Sequence, residues 1–211
     1  MDLWTIEREM RTLGYESICG VDEAGRGPLA GPVYAAAVIL PFGITIPNLN
    51  DSKKLSKKKR EALFQEITTV ALAYGIAYSD HIEIDEMNIL NATYLAMNRA
   101  IDMLSYKPDI ALIDGNRNQG ITCNNRLVVG GDAISASIAA ASILSKVSRD
   151  AMMVDMAKTY PHYGFEMHKG YGTKLHFDRL REHGISDIHR KTFLRKFSKE
   201  KNELHRSRED G

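Results

Sequence analysis

Two adjacent carboxylates follow a short apolar segment near the start of the chain. Residues 17–21 lead through Asp22 and Glu23 directly into a glycine-rich turn, Gly25-Arg26-Gly27. Neighbouring side chains of a strand point to opposite faces, so at least one acid should face the layer covering the sheet, where an unpaired charge is costly. A metal ion would offset that cost, while the turn would let a phosphate approach the backbone. This combination indicates nucleic-acid chemistry; the structural alternative is a solvated acidic turn.

Two further acids occupy similar positions later in the chain. Asp114 follows the apolar segment 110–113, and Asp132 immediately precedes a run of small and apolar residues, 133–147. Strand ends of an α/β sheet converge on one edge, where the four carboxylates would repel one another. Two divalent ions about 4 Å apart would balance them, and oxygen ligands favour Mg²⁺ or Mn²⁺. As alternatives, Asp132 could cap the following helix and Asp114 could be an ordinary turn residue.

Composition predicts one globular domain spanning residues 1–211. The chain is 44% hydrophobic and 26% charged, with a formal net charge of +1. Nucleic-acid binding must therefore depend on local clusters of charge. Segment 53–60 carries six Lys or Arg residues, for which a solvated face is the alternative interpretation.

The remaining composition favours a cytoplasmic protein. Cys19 and Cys123 lack metal-ligand spacing and suggest a reducing compartment. The first twelve residues do not resemble a signal peptide, and no apolar run approaches the length of a membrane span. We expect a monomer that does not enter a membrane.

The pattern of apolar runs and turn residues predicts an α/β fold, with a mixed five-stranded sheet flanked by helices. Candidate strands occupy 17–21, 33–40, 73–78, 110–113 and 126–129. Candidate helices follow Ser56 and occupy about 90–104, 133–147 and 175–182. We expect a helical C-terminal segment at about 173–200 and a disordered tail at 201–211.

Five segments carry a resemblance to a known family. They are Gly20–Pro28, the segment 51–56, Asp114-Gly115, the segment 131–150, and the loop 168–173 with His176. Through them the chain resembles the bacterial type 2 ribonucleases H, the ribonuclease HII class, and the resemblance covers nearly the whole chain. It implies a ribonuclease H-like fold.

The resemblance also implies an activity. The family consists of endonucleases that cut the RNA strand of RNA–DNA hybrids and incise duplex DNA beside a lone ribonucleotide, leaving 5′-phosphate and 3′-hydroxyl ends. The resemblance assigns Asp22, Glu23, Asp114 and Asp132 to a site for two Mn²⁺ or Mg²⁺ ions.

Substrate-binding residues follow from the same resemblance. Gly25, Arg26 and Gly27 would surround the ribose 2′-hydroxyl, the group that distinguishes RNA from DNA. Tyr171 would pack beside the sugar at an RNA-to-DNA junction; by itself it would be interpreted as a loop aromatic shielding the core. Lys53 and Lys54 are expected to meet phosphates.

Two other functions remain as alternatives. A ribonuclease HIII would carry an additional N-terminal domain and would lack the arginine of the turn. A non-catalytic hybrid-binding module would keep the fold without metal chemistry. A clamp or polymerase partner is conceivable, although residues 198–211 contain no docking motif that would name one. The crowded histidines lack zinc-ligand spacing, and we interpret His176 as a packing residue or a backbone contact.

Overall fold

The computed structural model describes residues 2–49, 55–195 and 197. Its centre is a five-stranded sheet in the order β3-β2-β1-β4-β5. The strands are β1 (Ile18–Ala24), β2 (Val33–Ile39), β3 (Ala73–Ser79), β4 (Ile110–Asp114) and β5 (Asn125–Val128). β1, β2 and β3 pair antiparallel, whereas β1, β4 and β5 pair parallel. The predicted mixed sheet is confirmed.

Helices cover both faces of the sheet. They are α1 (Thr5–Thr12), α2 (Lys57–Val70), α3 (His81–Asp102), α4 (Ala136–Thr159), α5 (Phe165–His168) and α6 (Lys174–His183), with a 3₁₀ turn at Gly131–Ala133. Ser56 caps α2 as predicted, accepting the N–H of Lys59. Asp80 and Glu83 form a capping box, so α3 starts at His81, ahead of the helix predicted at about 90–104. The helix is kinked at Asn88.

The central strands are buried on both faces, and alternate residues pack against the helices on opposite faces of the sheet. Ala35 and Ala37 of β2 pack in the core formed with α3, while Ala36 and Val38 pack in the core formed with α2 and α4. Small residues bring α4 very close to the sheet. A Cβ added to Gly20 would lie 2.1 Å from the carbonyl carbon of Ser137. This close packing fixes the height of α4 above the end of β1.

Two parts of the sequence-based prediction need correction. α4 starts at Ala136 and runs to Thr159, beyond the predicted end at 147, because Met153 and its neighbours pack in a third core with Phe165 and Leu180. α1 was not predicted. The predicted helical C-terminal region is confirmed by α6, and residues 191–194 form turns.

Some predictions concern residues outside the described part of the chain. These are the two lysines Lys53 and Lys54 and the tail 201–211. Among the described helices, none combines the length and apolarity needed to cross a bilayer.

Candidate active site

The parallel pairing of β1 with β4 brings two of the predicted acids to the same edge. Val21 is paired with Ile113, so the next residues, Asp22 within β1 and Asp114 at the end of β4, lie on neighbouring strands. Asp22 is only 6% exposed and accepts a hydrogen bond from Ser142 of α4. Its Oδ1 also accepts the N–H of Glu23 at 2.7 Å. The strand thus directs Asp22 towards the α4 layer, as expected for one acid of the pair.

Glu23 and Asp114 line a cleft of about 350 Å³ beside α3. Burial, then the charges of Glu23 and Asp114, raise the pKa of Asp22 well above its ordinary value. Burial also raises the pKa of Glu23, although Arg26, whose Nη1 lies 3.3 Å from Oε1, opposes this change. Burial and neighbouring negative charge therefore disfavour the ionised forms of Asp22 and Glu23.

Asp132 lies near Asp114, because the preceding residue, Gly131, is hydrogen-bonded to the Asp114 side chain. The N–H of Gly131 donates to Oδ1 of Asp114 at 2.8 Å, and Asp132 itself is 8% exposed. The alternative interpretation of Asp132 as the cap of the buried helix is wrong. Ser135 caps α4 by accepting the N–H of Ile138 at 3.2 Å, and Asp132 lies in the preceding 3₁₀ turn.

The chemistry of these side chains fits a divalent metal. All four offer carboxylate oxygens, the ligands that Mg²⁺ and Mn²⁺ prefer. The most buried of them, Asp22, lies among like charges, so a cation would relieve both its burial and its repulsion. Within the described residues, no three His, Cys, Asp or Glu side chains form a group that could already hold an ion.

A buried arginine holds the glycine turn next to these acids. Arg190 is fully buried, and its guanidinium donates to the carbonyl oxygens of Gly25 at 2.7 Å, Arg26 at 2.9 Å and Gly31 at 2.9 Å. Burial, and next the charge of Arg149, lower the pKa of Arg190 to about 9. The N–H groups of Arg26 and Gly27 donate to no residue in the described part of the chain.

A second buried arginine, Arg149 of α4, supports the other side of the same loop. Its Nε donates to the carbonyl oxygen of Pro32 at 3.0 Å, and its Nη2 donates to that of Lys169 at 3.1 Å. Gly25 has a φ of +101°, and a Cβ there would lie 1.9 Å from Nε of Arg149. No described carboxylate is within ion-pair distance of either arginine. Backbone carbonyls therefore replace the usual acidic partners of both charges.

The ring of Tyr171 lies beside the glycine turn. Its side chain is 43% exposed, and a Cβ on Gly27 would lie 3.7 Å from the ring. The guanidinium of Arg149 and Nζ of Lys146 lie 5.8 and 5.9 Å from the ring centroid. Tyr171 therefore presents part of its ring to solvent beside Gly27, in contrast to a residue that only shields the core.

Three histidines brace the backbone of the Tyr171 loop. His189 Nδ1 accepts the N–H of Ser186 at 3.0 Å, so in its neutral form Nε2 carries the proton and donates to Nε2 of His176 at 2.9 Å. Nδ1 of His176 must then donate to the carbonyl oxygen of Tyr171 at 3.0 Å. His168 stacks on His176, with centroids 4.4 Å apart. The backbone contact predicted for His176 is confirmed.

This histidine chain should make stability depend on pH. Burial is the main cause that lowers the pKa of His176 and of His189 to about 4, well below the ordinary value of 6.5. Because the folded state favours neutral imidazoles, their contribution is complete above pH 6.5 and is lost as pH falls towards 4. Neighbouring charges have smaller effects. Glu166 raises and Lys169 lowers the pKa of His168, and His81 lowers the pKa of His189. We expect the thermal midpoint to fall over this range.

His176→Asn tests whether the histidine chain causes the loss of stability at low pH. The asparagine amide does not titrate but can still donate to the carbonyl oxygen of Tyr171. The variant should be less stable at pH 7.5 but lose less stability between pH 6.5 and 4.5 than the wild type. Thermal unfolding followed by circular dichroism measures both slopes. Parallel curves for the two proteins would assign the acid sensitivity to other groups.

Sequence reasoning missed the two buried arginines as supports of the site. The burial of Arg149 could have been predicted from helical spacing. It lies four residues from Ser145 and from Met153, which are both fully buried on the same face of the helix. Arg190 carried no such signal, because it begins a stretch rich in basic residues. Asp150 of α4 forms an ion pair with Lys146, whose Nζ lies 2.8 Å from its Oδ1.

Comparisons with known proteins agree with this arrangement. The family model for ribonuclease HII matches residues 19–197. The ribonuclease HII of Endomicrobium trichonymphae is 56% identical over 193 residues, which cover 91% of this chain and 92% of that protein.

Solved structures share the fold. The crystal structure of ribonuclease H2 from Pyrococcus horikoshii OT3 superimposes with a TM-score of 0.70 at 25% identity, covering 84% of this chain and 93% of the other. The structure of Bst ribonuclease HIII in complex with Mn²⁺ gives a TM-score of 0.65 at 18% identity, covering 82% and 65%.

The family match distinguishes the two ribonuclease classes considered above. The family model for ribonuclease HII covers both strands that carry the acids, the glycine turn, and the loop of Tyr171. At 18% identity, the match to the ribonuclease HIII supports the fold alone. The chain therefore belongs to the ribonuclease HII family, and it is a ribonuclease H endonuclease.

Proposed function

We propose that this enzyme hydrolyses the RNA strand of RNA–DNA hybrids and incises duplex DNA on the 5′ side of a single ribonucleotide. The products would carry 5′-phosphate and 3′-hydroxyl ends. One observation supports this most directly: the carboxylates adjoin a glycine turn that Arg190 holds, whose Arg26 and Gly27 N–H groups have no partner among the described residues, and which lies beside the partly exposed Tyr171. Membership of the ribonuclease HII family supports the same substrate class.

The four acids are proposed to hold two Mn²⁺ or Mg²⁺ ions. Such a pair supplies activation of a water molecule and stabilisation of the leaving oxygen in phosphodiester hydrolysis. The raised pKa of Asp22, caused by burial and then by Glu23 and Asp114, means that binding a cation displaces a proton or relieves repulsion there. Ser142 and the N–H of Glu23 keep the Asp22 carboxylate oriented.

Recognition of the ribonucleotide is proposed to depend on the turn. Arg190 occupies the carbonyl oxygens of Gly25 and Arg26, which fixes the two peptide groups that carry the N–H groups of Arg26 and Gly27. Charge-assisted bonds at those carbonyls polarise the same peptide groups and make their N–H groups better donors. These donors suit a sugar hydroxyl, which DNA lacks at the 2′ position.

A cleavage assay on matched substrates tests the proposal. The purified protein with Mn²⁺ or Mg²⁺ should nick a labelled duplex at the 5′ side of its single ribonucleotide and leave the all-DNA duplex intact. It should also cut a long hybrid. Binding of the ribonucleotide-containing duplex without cleavage in either metal would instead favour the non-catalytic hybrid-binding module.

Tyr171→Ala should selectively weaken cleavage at a single ribonucleotide. The ring lies beside Gly27 and remains 43% exposed, so its removal opens the wall of the turn without emptying the core. Loss of one aromatic contact with a sugar or base is worth about 1–3 kcal/mol, so we expect roughly a tenfold or larger loss. Tyr171→Phe is the matched control and should retain most activity. An equal loss on long hybrids and single ribonucleotides would assign the ring a general structural role.

A further inference from the structure

An open groove of about 770 Å³ lies beside β3, at the edge of the sheet. It is lined by β3 and by both ends of α3, and it shares no residue with the cleft of Glu23 and Asp114. Within the described residues β3 pairs only with β2, so its other side has no neighbouring strand. The proposed nuclease chemistry leaves this groove without a role.

The outer edge of β3 offers backbone groups that no strand pairs. Nη1 of Arg99 donates to the carbonyl oxygen of Tyr78 at 2.9 Å, so the backbone N–H and carbonyl of Tyr78 face away from β2. The direction of these groups alternates along a strand, and those of Tyr74 and Ile76 therefore face the same way. Arg99 occupies one carbonyl oxygen, which leaves the other two and all three N–H groups for an added strand.

The sequence of β3 does not protect this edge. Natural sheets shield edge strands with charged side chains, proline or bulges, whereas Ala73–Ser79 contains no charged residue and no proline and pairs with β2 in continuous register. Apolar side chains are also exposed in the groove: Tyr78 is 45%, Ile82 is 54% and Met103 is 61% exposed. An open strand edge beside exposed apolar side chains is typical of a docking surface for an extended peptide.

Acidic side chains lie at both ends of the groove. Asp102 lies at the end of α3 that packs against Gly75, near the start of β3. Asp80 directly follows the end of β3. The two other charged lining residues, Glu83 and Arg99, pair with each other, with Nη2 2.7 Å from Oε1. The groove therefore carries a net negative charge, which favours a basic partner.

We propose that this groove binds an extended peptide segment of another protein, which adds a strand to β3 and carries a basic residue at each end. One face of the added strand would contact Tyr78, and the other would contact Met103. The basic residues would meet Asp80 and Asp102. Backbone hydrogen bonds to the strand edge would supply affinity, while the acids would select the charge of the segment.

A second copy of this chain suits the groove less well. Antiparallel pairing of two β3 strands about Ile76 would bring Asp80 of one copy towards Asp102 of the other. Like charges facing each other at both ends would oppose such a dimer. The charges of the groove thus favour a different protein.

Titration of the full ¹⁵N-labelled chain with acetyl-Lys-Val-Thr-Val-Tyr-Val-Lys-amide, followed by NMR, tests the proposal. We expect saturable binding and slower hydrogen exchange at the N–H groups of Tyr74, Ile76 and Tyr78, since these donors would enter a strand ladder. Two copies of the peptide, N-methylated either on the valines or on the threonine and tyrosine, each lose the donors of one edge. The copy methylated on the edge that pairs with β3 should bind about tenfold more weakly or worse, and the other should bind like the parent peptide.

Asp102→Lys tests the charge of the groove. Asp102 is exposed at the end of α3, so the variant should stay folded and cleave normally. It should bind the lysine-ended peptide several-fold more weakly than the wild type does, and a glutamate-ended copy several-fold more tightly. Asp155→Lys makes the same change on α4, at the exposed ion pair with Lys158, and should bind like the wild type.

Three results would overturn the proposal. They are equal affinity of the wild type for the lysine-ended and glutamate-ended peptides, unchanged hydrogen exchange at the edge of β3, and full binding by both N-methylated copies. Sedimentation showing a dimer that binds no peptide would overturn it in favour of a second copy of this chain.

Discussion

Asp22→Asn is expected to reduce cleavage of a ribonucleotide-containing duplex by roughly a thousandfold, because a metal centre supplies several kcal/mol of transition-state stabilisation. The substitution removes one negative charge while keeping the size of the side chain. Oδ1 can still accept the N–H of Glu23, which lies 2.7 Å away in the wild type. The fold around the site should therefore persist.

The same variant should be at least as stable as the wild type when no metal is added. Burial and the charges of Glu23 and Asp114 raise the pKa of Asp22, so the ionised carboxyl is disfavoured in the folded state at neutral pH. Asparagine removes that penalty. Urea unfolding in the presence of a chelator measures the change, and added Mn²⁺ should stabilise the wild type more than the variant.

Asp155→Asn is the matched control. Asp155 forms an exposed ion pair with Lys158 on α4, at 2.7 Å, and should affect neither cleavage nor the response to Mn²⁺. If Asp22→Asn retained wild-type activity, Asp22 would lose its place among the metal ligands. If it lost activity through unfolding in chelator, the residue would instead have a structural role.

Gly25→Ala should have the second-largest effect, on both stability and cleavage. A residue with a side chain is strained at a φ of +101°, and the added Cβ would lie 1.9 Å from Nε of Arg149. Arg149 cannot easily move, since it is fully buried and this Nε donates to Pro32. The left-handed backbone and the overpacking together predict a loss of about 3 kcal/mol or more in the free energy of unfolding.

The functional loss should exceed what unfolding explains. Relief of the clash requires the turn to shift relative to the acids, and a displacement of about 1 Å can reduce a rate by roughly a hundredfold. Cleavage should be measured at a temperature where circular dichroism shows the variant to be folded. Activity close to that of the wild type under those conditions would contradict a positioning role for the turn.

Gly14→Ala separates the two causes of instability. Gly14 has a similar φ of +93° but no atom within 4 Å of the position of an added Cβ. This variant should lose only the backbone contribution of about 1 kcal/mol and should cleave normally. Equal losses in Gly14→Ala and Gly25→Ala would mean that contact with Arg149 contributes little.

Local sequence determined much of the fold and the identity of the acids. Short apolar runs predicted β1 and β4 and placed Asp114 at the end of β4, whereas β1 continues past its apolar run through Asp22 to Ala24. The run of small and apolar residues at 133–147 likewise predicted a helix, which the structure packs closely against Gly20 of the sheet. The end of α4 was missed, since its second half leaves the sheet and becomes amphipathic around Met153.

Only the tertiary structure decided how the site is assembled. Sheet order places β4 beside β1, and the 3₁₀ turn, with Ser135 capping α4, frees Asp132 from a capping role. Arg190 reaches the carbonyl oxygen of Gly25 across 165 positions of sequence. Every residue has a carbonyl oxygen, so the sequence does not indicate which of them a buried guanidinium will bind. The types of the reacting groups were therefore readable from local sequence, whereas the supports that hold them arise from contacts between distant segments.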